Sequence, residues 1–271
     1  MERKTSYSAL KLEEGLAGAS DDQSSHLLHV DDEEDVQCME QQCRECKYDG
    51  RLFPEYPLYH EGMHKPYFRG VLHFVLAFLL PFAYYHFYIE SNGNEYAIYS
   101  SFFYISTNIF CYGMSGLFHT IEWPPQTEIL LQKLDHCGIA ILSVGTFMPV
   151  AILLMEYPYG LIFMALLVST CAVTCYYILN GQPSVVRQAM VPACLFPFIP
   201  YLYGVMQPFE FTCMISCIVF QMAGMSIFVN ERPDFFPSIF GYHELFHCFV
   251  SAAGMCVYLC NWSVVHRLCE D

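Results

Sequence analysis

The sequence predicts an all-α membrane protein of seven transmembrane helices. Of its 271 residues, 55% are hydrophobic and only 14% are charged, a balance far from that of a water-soluble domain. The charges crowd into the first sixty or so positions. Seven apolar stretches follow, each near the roughly 20 residues a helix needs to cross the hydrocarbon core.

Residues 1–60 come first and read as a disordered, acidic, cytosolic tail. Residues 1–50 hold 13 Asp/Glu against 5 Lys/Arg, so −8 of the net charge of −15 sits there. So polar a segment carries too little apolar surface to offset the entropy of ordering. It has no apolar h-region, so no secretory signal is expected, and no basic surface for nucleic acid. Cys38, Cys43 and Cys46 form C-x4-C-x2-C in this tail. Metal or palmitate would suit three thiols, but without a fourth ligand at zinc-ribbon spacing they read as reduced cytosolic cysteines. Most of the fourteen cysteines, among them Cys111, Cys171, Cys175, Cys213, Cys217 and Cys256, lie inside apolar runs and read as small hydrophobes.

The membrane domain is expected over 65–267, with spans at 70–90, 96–119, 134–156, 158–179, 189–207, 210–229 and 242–264. Turn-like breaks separate them: "ESNGNE", "IEWPPQTE", "YPYG", "NGQPS", "MQPFE" and "NERPDFFPS". Pro81, Pro149, Pro197 and Pro200 fall inside spans and predict kinks, not breaks. Seven spans put the two chain ends on opposite sides. Arg51, Lys65, Arg69, Lys133, Arg187 and Arg232 share the N-terminal side, and only Arg267 lies opposite. The positive-inside rule then predicts a cytosolic N-terminus and an extracellular or lumenal C-terminus.

On this topology three distant segments deliver ionisable groups to one layer near the cytosolic face. "SGLFHT" closes span 2 with Ser115 and His119. "KLDHCGI" opens span 3 with Asp135. "YHELFH" opens span 7 with His243 and His247. Ionisable groups are costly inside a membrane, so each is a candidate functional residue. His243 and His247, one turn apart, lie about 6 Å from each other on one helix face, and His119 would supply a third nitrogen. Three histidines with an open fourth position are the ligand set of catalytic Zn2+. Asp135 would orient or deprotonate a water there, and Ser115 would hydrogen-bond a ligand or the substrate. His73 and His136 are weaker candidates, His136 because a neighbour at i+1 points elsewhere. His26, His29, His60 and His64 read as solvated, and His266 as a terminal polar residue.

"YHELFH" also spells H-E-x-x-H, the zinc-protease helix motif. The metzincin tail is missing after His247 and only His266 lies downstream. Glu244 should point away from the His243/His247 face. The motif therefore reads as H-x3-H with an incidental glutamate, and a site-2-type intramembrane protease is the alternative.

"KPYFRGVLH" (65–73), "SGLFH" (115–119), "LDHCGIAILSVGTFMP" (134–149) and "RPDFFPSIFGYHELFH" (232–247) together resemble the hemolysin III family, which belongs with the progestin and adipoQ receptors. The resemblance implies a seven-helix bundle with intramembrane zinc on His119, His243 and His247, and with Ser115 and Asp135 as accessory groups. It also implies lipid chemistry, since the adiponectin-receptor branch is associated with hydrolysis of ceramide-like amides and the wider superfamily includes alkaline ceramidases. Two other classes compete. A pore-forming cytolysin would want a polar stripe through the full depth of the bundle, whereas the polar residues here gather at one end. A lipid-linked signalling receptor would keep the zinc as structure and offer its acidic tail to a cytosolic partner.

Overall fold

A computed structural model describes residues 65–270 apart from 67, 184, 237 and 238. The tail, Cys38, Cys43, Cys46, Arg51 and the four histidines at 26, 29, 60 and 64 lie outside the described residues. Among the described residues, nine helices form seven rods: α1 (Val71–Glu90), α2 (Glu95–Thr120), α3 (Pro125–Thr146) continued by α4 (Met148–Leu153), α5 (Tyr159–Leu179), α6 (Val185–Ala193) continued through a 3-10 turn by α7 (Ile199–Val205), α8 (Pro208–Asn230) and α9 (Tyr242–Cys269).

Six of the seven rods are long and apolar enough to cross a membrane; α2 falls short. The reason is the polarity of one face. One face of α2 is polar and turned inward, with Ser100, Ser101, Thr107, Asn108, Ser115 and His119 all buried. The outer surface is the reverse: Phe78, Phe82, Tyr85, Leu161 and Val219 are all more than half exposed, as suits a molecule whose solvent is lipid. The chain is an integral, multi-pass membrane protein.

Two apolar clusters hold the rods together. One joins α3 to α9 through residues such as Ala140, Val150, Phe163, Leu202, Met214 and Cys260. The other packs Phe87 of α1 with Tyr104 and Ile105 of α2 and with Val257 and Val265 of α9. The eleven cysteines among the described residues are free thiols.

Two expectations need correcting. Span 3 starts nine residues early, at Pro125, because "WPPQTE" is a helix start. Proline at the first helical position gives up an N–H that has no partner there, and Glu128 accepts from the Trp123 N–H at 3.3 Å. The prolines also differ among themselves. Pro81 sits inside unbroken α1. Pro149 stands in the first turn of a helix that restarts after Phe147, while Pro197 lies within the 3-10 turn between α6 and α7 and Pro200 in the first turn of α7. A proline that can take the first turn of a new segment interrupts the ladder; one that cannot is carried.

Candidate metal centre

The site lies at the end of the bundle where α2 finishes and α1 and α9 begin. Each beginning is pinned. Lys65 donates to the Phe118 and Ile121 carbonyls at 2.7 and 2.8 Å and pairs with Glu128 at 2.8 Å. A cation thus serves the open carbonyls at the C-terminus of α2, on either side of His119. Gly70, at φ +80°, lets α1 start against α2 so closely that a Cβ there would stand 2.8 Å from the His119 Cβ. Gly116 makes room in the same way, since its Cβ would meet Phe74 at 2.9 Å.

Helix α9 starts on a glutamate. The Glu244 carboxylate accepts from the Gly241 N–H at 2.6 Å and forms a buried ion pair with Arg69. Asp234 accepts from the Tyr242 N–H at 3.2 Å. Glu244 thus turns away from the two histidines beside it, as expected, and holds the first turn of their helix. Arg69 and Lys65, read from the sequence only as topology charges, are anchors of the site. Nothing local in the sequence separates a buried arginine from an interfacial one; its partner lies 175 residues away.

His119, His243 and His247 converge. One ring nitrogen from each lies within 4.8 Å of the other two, and the ring centroids are 4.7, 5.1 and 4.8 Å apart. His119 and His247 are buried and His243 is half-buried. Zinc bound to nitrogen at about 2.0–2.1 Å in tetrahedral geometry sets ligand nitrogens roughly 3.4 Å apart, so small side-chain rotations would complete the set. Three imidazoles and no thiolate suit a borderline cation such as Zn2+. The donor set fits a metal ion. Asp135 Oδ2 stands 3.6 Å from His119 Nε2, on the buried side of α3. Ser115 is brought in too, with its Oγ 2.9 Å from His73 Nδ1.

His73 is the residue that sequence reasoning undervalued. Its ring stacks on that of His247, with centroids 4.1 Å apart and planes 15° from parallel. The signal was present in "KPYFRGVLH", whose histidine follows Gly70 by three residues. Without the close approach of α1 to α2, nothing linked it to the others. His136 is half-buried beside Asp135 and is not among the three converging histidines.

Residues 61–258 match the family described as haemolysin-III related, a range that covers α1 to α8, the first part of α9 and all five candidate site residues. The chain belongs to that family.

Proposed function

From that membership and the three-histidine cluster we propose that the protein is a zinc-dependent hydrolase of a lipid amide of the ceramide type. The convergence of His119, His243 and His247 inside the membrane, beside a buried carboxylate, carries the reading. A zinc ion held there would supply a Lewis acid at neutral pH. The protein's own residues do the rest. Asp135, 3.6 Å from His119, accepts the proton of the attacking water and passes it to the leaving amine. Ser115 orients the buried polar group beside it. The surrounding apolar rods admit an acyl chain from the bilayer and keep bulk water out. The cytosolic placement of the N-terminus and of the site belongs to the same proposal, and rests on the positive residues flanking the spans. The test is a panel of lipid amides and esters offered to zinc-loaded protein. Release of fatty acid from an amide supports the reading, and no turnover across the panel overturns it.

The pore reading draws on the buried polar face of α2, which runs the length of the helix and so is less confined to one end than the sequence suggested. Three of its side chains turn back on their own backbone, however. Thr107 and Asn108 both donate to the Tyr104 carbonyl at 2.8 Å, and Ser100 to the Ala97 carbonyl at 3.2 Å. Hydroxyls satisfied by backbone do not line a water column.

A further inference from the structure

His73 has no chemical task of its own in the hydrolase mechanism. It is 4% exposed. Its ring is enclosed by His247, Tyr112, whose ring lies 4.8 Å away, and Ser115. Its Nε2 is buried and has no hydrogen-bond partner among the described residues. An unpaired buried polar atom is expensive and rarely kept without a reason. A phenylalanine would fill the same space and stack on His247 without that penalty.

His73 is badly placed to be a fourth ligand. Coordinating lone pairs lie in the plane of an imidazole ring. Two rings stacked within 15° of parallel send those lone pairs out side by side, not toward one ion. A hydrogen bond to something that the site binds remains. We propose that His73 is a catalytic residue that grips the carbonyl oxygen of the substrate, a proposal that rests on the hydrolase reading. In this proposal the Ser115 hydroxyl, 2.9 Å from Nδ1, is the donor of a hydrogen bond that Nδ1 accepts. That fixes the tautomer with its proton on Nε2, and Nε2–H donates to the acyl oxygen as negative charge builds there. The imidazole stays neutral throughout, and no proton leaves it.

The test uses the full chain in nanodiscs with cobalt in place of zinc, because the visible spectrum of cobalt reports the ligand set. Acetohydroxamic acid, whose oxygens mimic the reacting acyl group, is titrated against wild type, His73→Phe, His73→Gln and Ser115→Ala. All four should bind one cobalt with the same spectrum. Removal of a donor from an oxyanion should weaken hydroxamate binding roughly tenfold or more in His73→Phe, leave His73→Gln within roughly threefold of wild type, and place Ser115→Ala between them. Equal affinity in His73→Phe and wild type would overturn the proposal and leave His73 as a stacking group. An altered spectrum in His73→Phe would overturn it by making His73 a ligand. If His73→Phe does not fold, Ser115→Ala carries the comparison, and wild-type affinity there overturns the proposal. Failure of wild type to take up cobalt would remove the hydrolase reading itself, and this proposal with it.

Discussion

Arg69 and Glu244 form an ion pair whose side chains are only 5% and 2% exposed. It ties the segment before α1 to the first turn of α9, and so sets where His243 and His247 stand relative to His119. The same contact argues against reading H-E-x-x-H as a protease motif: the glutamate that would be the general base is committed to an arginine and to the Gly241 N–H.

Glu244→Gln should therefore act on stability. Glutamine still accepts from Gly241 but removes the carboxylate charge that faces the buried Arg69. Breaking one side of a buried pair costs about 3–5 kcal/mol, whereas replacing both sides by hydrocarbon is far milder. Thermal unfolding in detergent should show Glu244→Gln well below wild type and Arg69→Met/Glu244→Met closer to it. A Glu244→Gln protein that melts like wild type but has lost turnover would restore the protease role.

Gly70→Ala should lower metal content although residue 70 is no ligand. The left-handed backbone at φ +80° penalises any Cβ by about 1–2 kcal/mol, and this one meets the His119 Cβ at 2.8 Å. Either α1 moves away or His119 does. Bound zinc per folded chain should fall below that of wild type, and unchanged zinc would mean that the approach of α1 to α2 is not needed for the site.

Asp135→Asn separates chemistry from binding. It keeps the shape and removes the proton acceptor, so zinc content should hold while hydrolysis falls by roughly 10²–10⁴-fold. Equal loss of metal and activity would instead make Asp135 a ligand.

At the opposite end of the bundle, Glu90 meets His266 at 2.6 Å and His86 at 3.3 Å. The histidine side chains there are 40% and 41% exposed. Solvent-screened pairs of this kind contribute on the order of 0–1 kcal/mol. Glu90→Gln should shift the melting temperature by no more than a few degrees, with zinc content unchanged. A loss as large as that from Glu244→Gln would show that this end is an anchor as well.

The rods and the three histidines were legible in the sequence because both rest on local pattern. Apolar length marks a span, and an i, i+4 histidine pair shares a face whatever surrounds it. Depth, deduced from span direction, was enough to bring His119 and Asp135 to the same layer. What stayed hidden depends on contacts between distant segments. Arg69 and Lys65 look like ordinary flanking charges until Glu244 and Glu128 are seen beside them. His73 looks like a stray polar residue until Gly70 and Gly116 are found to let α1 lie against α2. The start of α3 was missed because two prolines in "WPPQTE" signal a turn and a first helical turn equally well.

The most direct measurement is the zinc content of full-length protein purified in detergent without chelator, for wild type and His119→Ala. The account predicts about one zinc per wild-type chain, the occupancy of one three-histidine site, and a large loss in the mutant. No zinc in wild type would contradict it outright, and zinc retained by His119→Ala would mean that His243 and His247 do not share their ion with α2.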